Sequence, residues 1–242
     1  MKYNSNTPRL YALPKIHKDN IPLRPIISSI NTISSDISKK LANILTILRT
    51  IDKFEIKNTI EIKQRLNTII ANETDILVSF DIISLFTNIP TNLAITIIEE
   101  NWDTIKTNTD IPKTLFFEML RFCLYDANYF TYNNTFYKQI FGMPMGNPLS
   151  SIIANIITNK LLTETIDKLD YTPTLLVKYV DDILAIIPKN SIIQTLTKLN
   201  NFHHKIQFTY ETTTNNKLPY LDLLIIINNN NSIDTDWYTK KT

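Results

Sequence analysis

The chain has 242 residues, 43% of them hydrophobic, and a formal net charge of +2; it can build a true core in one large or two small domains, and its charge neither demands nor excludes a polyanionic partner. A single cysteine, Cys123, excludes an internal disulfide and fits a reducing, intracellular setting, nuclear or cytoplasmic rather than secreted. The N-terminus MKYNSNTPRL lacks an apolar signal core, and no stretch reaches the roughly 20 apolar residues of a membrane helix, so no membrane partner is expected.

PRLYALPKIHK and IPLRPIISS are extended, proline-punctuated runs that flank Asp19–Asn20 and read as a β-hairpin. SDISKKLANILTILRTI spaces its apolar residues by three and four, with Ser35 or Asp36 as cap, and a second helix follows near 58–71. TDILVSFDI (74–82) reads as a buried strand. TNLAITIIEENW, capped by Thr91, and PKTLFFEMLRFCLYD, opened by Pro112, read as helices, which makes Cys123 a core thiol. NYFTYNNTFYKQI is an aromatic hairpin turning at Asn133–Asn134. GMPMGNPLSS is a loop that feeds a long helix, and it holds both glycines of the chain, Gly142 and Gly146. TLLVKYVDDILAIIP reads strand, turn, strand; SIIQTLTKLNNFHH a helix; KIQFTYE and LPYLDLLIII strands; NNNNS (228–232) a polar turn. Helices interleaved with antiparallel hairpins give the α+β class. The sequons at Asn72, Asn133 and Asn231 follow from an Asn- and Thr-rich composition.

Two adjacent aspartates, Asp181 and Asp182, interrupt the apolar run VKYVDDILAI, and Asp81 ends the strand at 74–82. An Asp-Asp pair is also a common turn pair, and alone it decides nothing. If the two segments pair, however, three carboxylates reach one sheet edge, where they need a counter-charge. Mg²⁺ suits such a site, because it takes a few carboxylate oxygens together with water and phosphates. Two such ions, or Mn²⁺ in their place, form a clamp for in-line phosphoryl transfer. His203 and His204 have no Cys or His partners at ligand spacing, so zinc is not expected.

FDIISLF, GMPMGNPLSS and YVDD, in that order, resemble the palm motifs of reverse transcriptases, and LPKIHK with RPIIS resembles the preceding fingers motifs. LPKIHK, FTYE, LPYLDLLI and WYTKKT are similar to the Penelope-like retroelement branch. The resemblance runs from about Pro8 to Thr242 and implies a right-hand polymerase fingers–palm. In that layout residues 1–75 are fingers, with a hairpin at 8–29 plus helices. Residues 76–242 are palm, with a helical fingers insertion at about 91–127 and primer-grip-like strands at 206–239.

The same resemblance implies an RNA-directed DNA polymerase whose partners are an RNA template, a DNA primer and a dNTP. Asp81 and Asp181 would be shared metal ligands, Asp182 the less direct acid, and the Ile82 carbonyl part of a metal shell. Lys15 and Arg24 would hold the triphosphate. Ser84, Leu85, Phe86, Met145 and Gly146 would contact the nucleotide, with Phe86 as the steric gate against a ribose 2′-OH; Gly142, Pro144 and Tyr179 would contact nucleic acid. Met145 stands where many members carry Gln, and Gly146 permits a close backbone approach to substrate. Lys205 or Lys217 would protonate pyrophosphate. Two rival readings stand beside this one: an RNA-templated RNA polymerase, against which Phe86 argues, and a truncated or domesticated relic that binds nucleic acid without catalysis. The resemblance leaves the helical thumb and the nuclease without counterparts, which implies weak processivity, or no activity, for this chain alone.

Overall fold

The computed structural model describes residues 5–16 and 20–239; His17, Lys18, the expected turn residue Asp19, and Lys240, Lys241 and Thr242 lie outside them. In chain order the elements are β1 (Arg9–Pro14), β2 (Leu23–Ser28), α1 (Ser35–Leu45, prolonged by a 3₁₀ stretch Thr46–Ile51), α2 (Thr59–Leu66), β3 (Asp75–Ile82), α3 (Leu85–Asn88), α4 (Thr91–Glu100), α5 (Trp102–Ile105) and α6 (Lys113–Arg121), the last running into a π-helical stretch Phe122–Asp126. Then come β4 (Tyr129–Tyr132), β5 (Thr135–Lys138), α7 (Pro148–Ile166), β6 (Leu175–Tyr179), β7 (Asp182–Pro188), α8 (Ile192–Asn200), β8 (Phe208–Thr212), β9 (Lys217–Tyr220), β10 (Leu223–Ile227) and β11 (Ile233–Trp237). The α+β class stands.

Local chemistry sets several boundaries. The Asn58 side chain accepts from the Glu61 N–H (3.0 Å), while the Glu61 carboxylate accepts from the Lys57 N–H (2.9 Å), a reciprocal cap that starts α2. Thr91 does not cap α4: Pro90, extended at φ −74 and ψ 116, holds the cap position, and Thr91 is the first helical residue. LPYLDLLIII is not one strand. Leu221 turns the chain at φ 52 and divides it into β9 and β10. Asn133 and Asn134, at φ 47 and 60, make the expected β4–β5 turn with left-handed backbone at both central residues.

The chain forms two compact units, Met1–Ile51 with Ser84–Ile157, and Asp52–Ile83 with Thr158–Thr242. Ile56, Ile62, Leu66 and Ala71 share one core with Leu77, Val177, Leu184 and Ile225, so α2 belongs with β3.

The first unit holds a sheet of order β2-β1-β4-β5. The two hairpins are antiparallel, and they join through one parallel pair, Arg9↔Thr131. Its helical core includes Leu41, Leu45, Leu120 and the ring cluster Trp102–Phe116–Phe117, with centroids 5.2–5.8 Å apart. Cys123 is buried there, 3.5 Å from the Ser38 hydroxyl, and burial pushes its thiol pKa up.

The second unit holds an antiparallel sheet of order β6-β7-β3-β8 and a meander β11-β10-β9. β7 is interior and covered on both faces. That is why Ile183–Ile187 is an unbroken buried apolar run rather than an alternating one.

Candidate active site

The β3–β7 register sets Asp81 opposite Asp182, and β6–β7 sets Tyr179 opposite Asp182. Val180 and Asp181 are therefore the two central residues of a tight hairpin. Val180 has φ 59 and Asp181 does not share the positive sign, which is the II′ pattern that suits glycine at its first position. A β-branched residue there costs on the order of 1–3 kcal/mol. Asp81 is exposed, and Asp181 and Asp182 are half-buried.

Directly opposed carboxylates destabilise a sheet, so this pair sits where a cation would offset the repulsion. Among the described residues no group of three or more Asp, Glu, His or Cys side chains closes into a cluster able to hold an ion. The backbone thus brings the three aspartates to one sheet end without a complete protein cage. A donor set of two opposed carboxylates and a neighbour still fits Mg²⁺, which leaves most of its shell to water and phosphates. Ile82 is 2% exposed and its side chain has no donor for an ion, so any role in a metal shell would rest on its carbonyl.

Two groups behind the hairpin stand outside the sequence reading. The Tyr220 hydroxyl donates to the Asp182 carbonyl at 2.9 Å. Burial first, and then the Asp182 carboxylate, drive its phenol pKa far above the usual value, with Asp181 adding to the rise and a backbone hydrogen bond from Tyr179 opposing it. Lys178, fully buried, places Nζ 2.8 Å from Asp52 Oδ2 and donates to Thr158 Oγ1 at 3.0 Å. Its backbone pairs with the 54–56 segment, which covers the outer edge of β6. The signal for Lys178 was present in LLVKYV: a charge inside an apolar strand, the same anomaly as the aspartates. Tyr220 gave none, because the turn beside it is written Leu221–Asp222 with no glycine or asparagine.

Of the two lysines, Lys205 precedes Gln207, whose carbonyl accepts the Ile83 N–H at 2.9 Å, so it belongs to the segment at the carboxylate end of the sheet. Lys217 pairs with Ile226, at the end of β9 away from Tyr220. His203 and His204 stack at 4.5 Å, and partial burial holds the His203 pKa below its usual value, with His204 and Lys205 adding to the effect. A groove of about 880 Å³ opens at the opposite end of the same sheet, lined by Asp75, Pro188 and Thr212 among others, and holds none of the expected site residues.

The first unit carries the rest. Arg24 is exposed on β2 opposite Leu13, and the half-buried Lys15 donates its backbone N–H to the Pro22 carbonyl. Ser84 enters α3 with left-handed φ 51; Leu85 is 2% exposed and Phe86 half-buried. The glycine loop is fastened on both sides. The Met143 N–H donates to the Phe86 carbonyl (2.7 Å), the Ile27 N–H to the Met145 carbonyl (2.8 Å), and the Ser29 hydroxyl to the Gly146 carbonyl (3.0 Å). A Cβ on Gly142 would lie 2.4 Å from the Thr87 carbonyl oxygen, and one on Gly146 2.7 Å from that of Ile27. The close approach required at Gly146 is therefore already made by the chain's own backbone. Pro144 is half-buried in this loop, and Tyr179 is 37% exposed at the hairpin of the second unit.

A family model described as reverse transcriptase (RNA-dependent DNA polymerase) matches residues 16–217. No curated protein sequence matches significantly. Among solved structures, apo telomerase from Candida tropicalis superposes with a TM-score of 0.71 at 14% identity, over 98% of this chain and 49% of that one. Telomerase from Candida albicans, in complex with a fragment of telomeric RNA, gives 0.66 at 12% identity over 96% and 47%. The RNA-dependent RNA polymerase of BmCPV in its elongation state gives 0.62 at 14% over 98% and 23%. The chain thus spans about half the length of these telomerase chains, and at such identities the likeness is one of fold. No helix among the described residues is long and apolar enough to cross a membrane.

Proposed function

The chain belongs to the reverse transcriptase (RNA-dependent DNA polymerase) family, and from that membership we propose that it is the nucleotidyl-transfer core of a Penelope-like retroelement, extending a DNA primer on an RNA template. The observation that carries this reading is the in-register pair Asp81↔Asp182 beside the turn residue Asp181. LPKIHK, FTYE, LPYLDLLI and WYTKKT support the Penelope-like assignment.

In the proposed reaction the primer 3′-oxygen, having lost its proton, bonds to the α-phosphorus of a dNTP. The bond from that phosphorus to the bridging oxygen breaks, and pyrophosphate leaves. Mg²⁺ or Mn²⁺, two ions in all, would neutralise the carboxylates and stabilise charge on the attacking and leaving oxygens when bound. Asp81, Asp181, Asp182 and the Ile82 carbonyl supply oxygen donors. Arg24 and Lys15 hold phosphates, for which a guanidinium and an ammonium are suited. Phe86 excludes a ribose 2′-OH by bulk. Leu85 is buried and would meet the nucleotide through its backbone, beside Ser84, Met145 and Gly146, while Gly142, Pro144 and Tyr179 would contact nucleic acid. Lys205 is the better placed proton donor to pyrophosphate.

The test is primer extension on an RNA template with each metal, with dNTP and rNTP compared. Asp181→Asn is expected to lower the rate by at least about 10³-fold, as loss of electrostatic stabilisation at the reacting atoms does, with duplex affinity nearly unchanged. Equal rates in variant and wild type would sink the carboxylate assignment, and preference for rNTP would favour an RNA polymerase. A wild type inert with every metal and template would leave the nucleic-acid-binding relic.

A further inference from the structure

A phenol inside a protein core needs a reason. Tyr220 is 3% exposed, among Leu218, Leu223 and Ile225 in the core of the second unit. Phenylalanine would fill that space without the cost of drying a hydroxyl. The hydroxyl is not unpaired: it donates to the Asp182 carbonyl at 2.9 Å. Tyr179 and Asp182 are the pair that closes the Val180–Asp181 turn.

That turn has a cause for instability. Val180 sits at φ 59, where a β-branched side chain is disfavoured, and the register sets two acidic residues, Asp81 and Asp182, opposite one another. Such backbone persists only where its surroundings over-determine it. Tyr220 is itself fixed at the end of β9 by pairing with Leu223 across a second tight turn. It therefore brings the rigidity of the β9–β10 meander to the closing residues of the aspartate hairpin.

We propose that Tyr220 is a positioning residue: its hydroxyl clamps the closing pair of the Val180–Asp181 turn and so fixes where the Asp181 and Asp182 carboxylates stand. It touches no reacting atom. The proposal deepens the polymerase reading, since the chemistry of the carboxylates rests on that reading, but the clamp itself is a property of the fold.

Tyr220→Phe keeps the ring in the core and removes only the hydroxyl. The first measurement, hydrogen exchange of the full chain, needs no activity. Amides of the 177–186 segment are expected to exchange about tenfold faster in the variant, while β10 and β11 amides stay as in wild type. Unchanged exchange in 177–186 overturns the clamp outright, and a uniform rise across the second unit shows a general packing defect and overturns it too. The second measurement is a Mg²⁺ titration of single-turnover extension. The variant is expected to need several-fold more Mg²⁺ for half-maximal rate and to extend about tenfold more slowly, with dNTP KM and duplex affinity within twofold. An unchanged Mg²⁺ requirement overturns the positioning role even where exchange rises. Wild type that exchanges as expected but never extends a primer refutes the polymerase reading and leaves the clamp standing.

Discussion

Gly142 has φ +71, and a Cβ there would meet the Thr87 carbonyl oxygen at 2.4 Å, with the rest of that peptide within 2.8 Å. The obstruction is backbone, which cannot swing aside as a side-chain tip would. Gly142→Ala therefore adds left-handed strain of about 1–3 kcal/mol to an overpacking cost of about 1–3 kcal/mol. Urea unfolding is expected to show a loss of about 2–6 kcal/mol, the sum of those two costs. A loss below about 1 kcal/mol, the level of an ordinary substitution, would mean that the loop shifts without resistance. Val180 holds the same backbone sign without the excuse of a missing side chain. The two positions differ in what holds them: Gly142 is required by contact, whereas Val180 is tolerated because the turn beneath it is tied down. In a chain with only two glycines, left-handed positions fall mostly to asparagine, as at Asn20, Asn31, Asn133, Asn134, Asn215, Asn216 and Asn231. The exceptions are Ile21, Ser84, Val180 and Leu221, and of these Leu221 marks the β9–β10 turn and Val180 the aspartate hairpin.

At the level of elements, hydrophobic period carried most of the fold. Ser38, Leu41, Leu45 and Leu48 line one buried side of α1 and its extension, and β7 is one apolar run because it is covered on both faces. The β4–β5 turn was legible because asparagine names it. The break between β9 and β10 was not, since Leu221 looks like strand interior, and Tyr220 was lost with it. The pairing of Asp81 with Asp182 was legible only as a condition, because sequence shows two interrupted apolar runs but not their register. Lys178 could have been read as a buried charge, yet its partner Asp52 lies far back in the chain, in a stretch without periodicity. That pair gives an asymmetric prediction. Asp52 also accepts the Phe54 and Glu55 N–H groups (2.9 and 3.2 Å), so it keeps partners when Lys178 is replaced by methionine. Asp52→Ala removes the carboxylate that lies 2.8 Å from Nζ of the fully buried Lys178. The expected cost is about 3–5 kcal/mol for Asp52→Ala, the range for removing one partner of a buried ion pair, and clearly less for Lys178→Met, which leaves Asp52 its backbone partners. Chemical denaturation of both variants checks the order; a larger loss for Lys178→Met would refute it.

For the whole molecule, chain topology governs how the aspartates are assembled. The chain passes between its two units at 51/52, 83/84 and 157/158, so neither unit is one continuous stretch. β3 lies inside the second unit's sheet, with β7 on one side and β8 on the other, and it comes from far earlier in sequence than either. Closing so long a loop costs entropy before any strand pairing offsets it, which slows formation of the sheet. Without β3, β7 loses its central neighbour and β8 loses its only partner in that sheet, and both then present unpaired backbone edges. A fragment 84–242 is therefore expected to bind a hydrophobic dye, to aggregate on concentration and to unfold without cooperativity. Co-expression with residues 1–83 is expected to restore a soluble complex with slow amide exchange in β7. Cooperative unfolding of 84–242 alone would show that β3 is dispensable to the sheet. The split also divides the carboxylates, leaving Asp81 on one piece and Asp181 with Asp182 on the other. Primer extension by the mixed pieces, but by neither alone, is the result expected if pairing β3 with β7 is what completes the site.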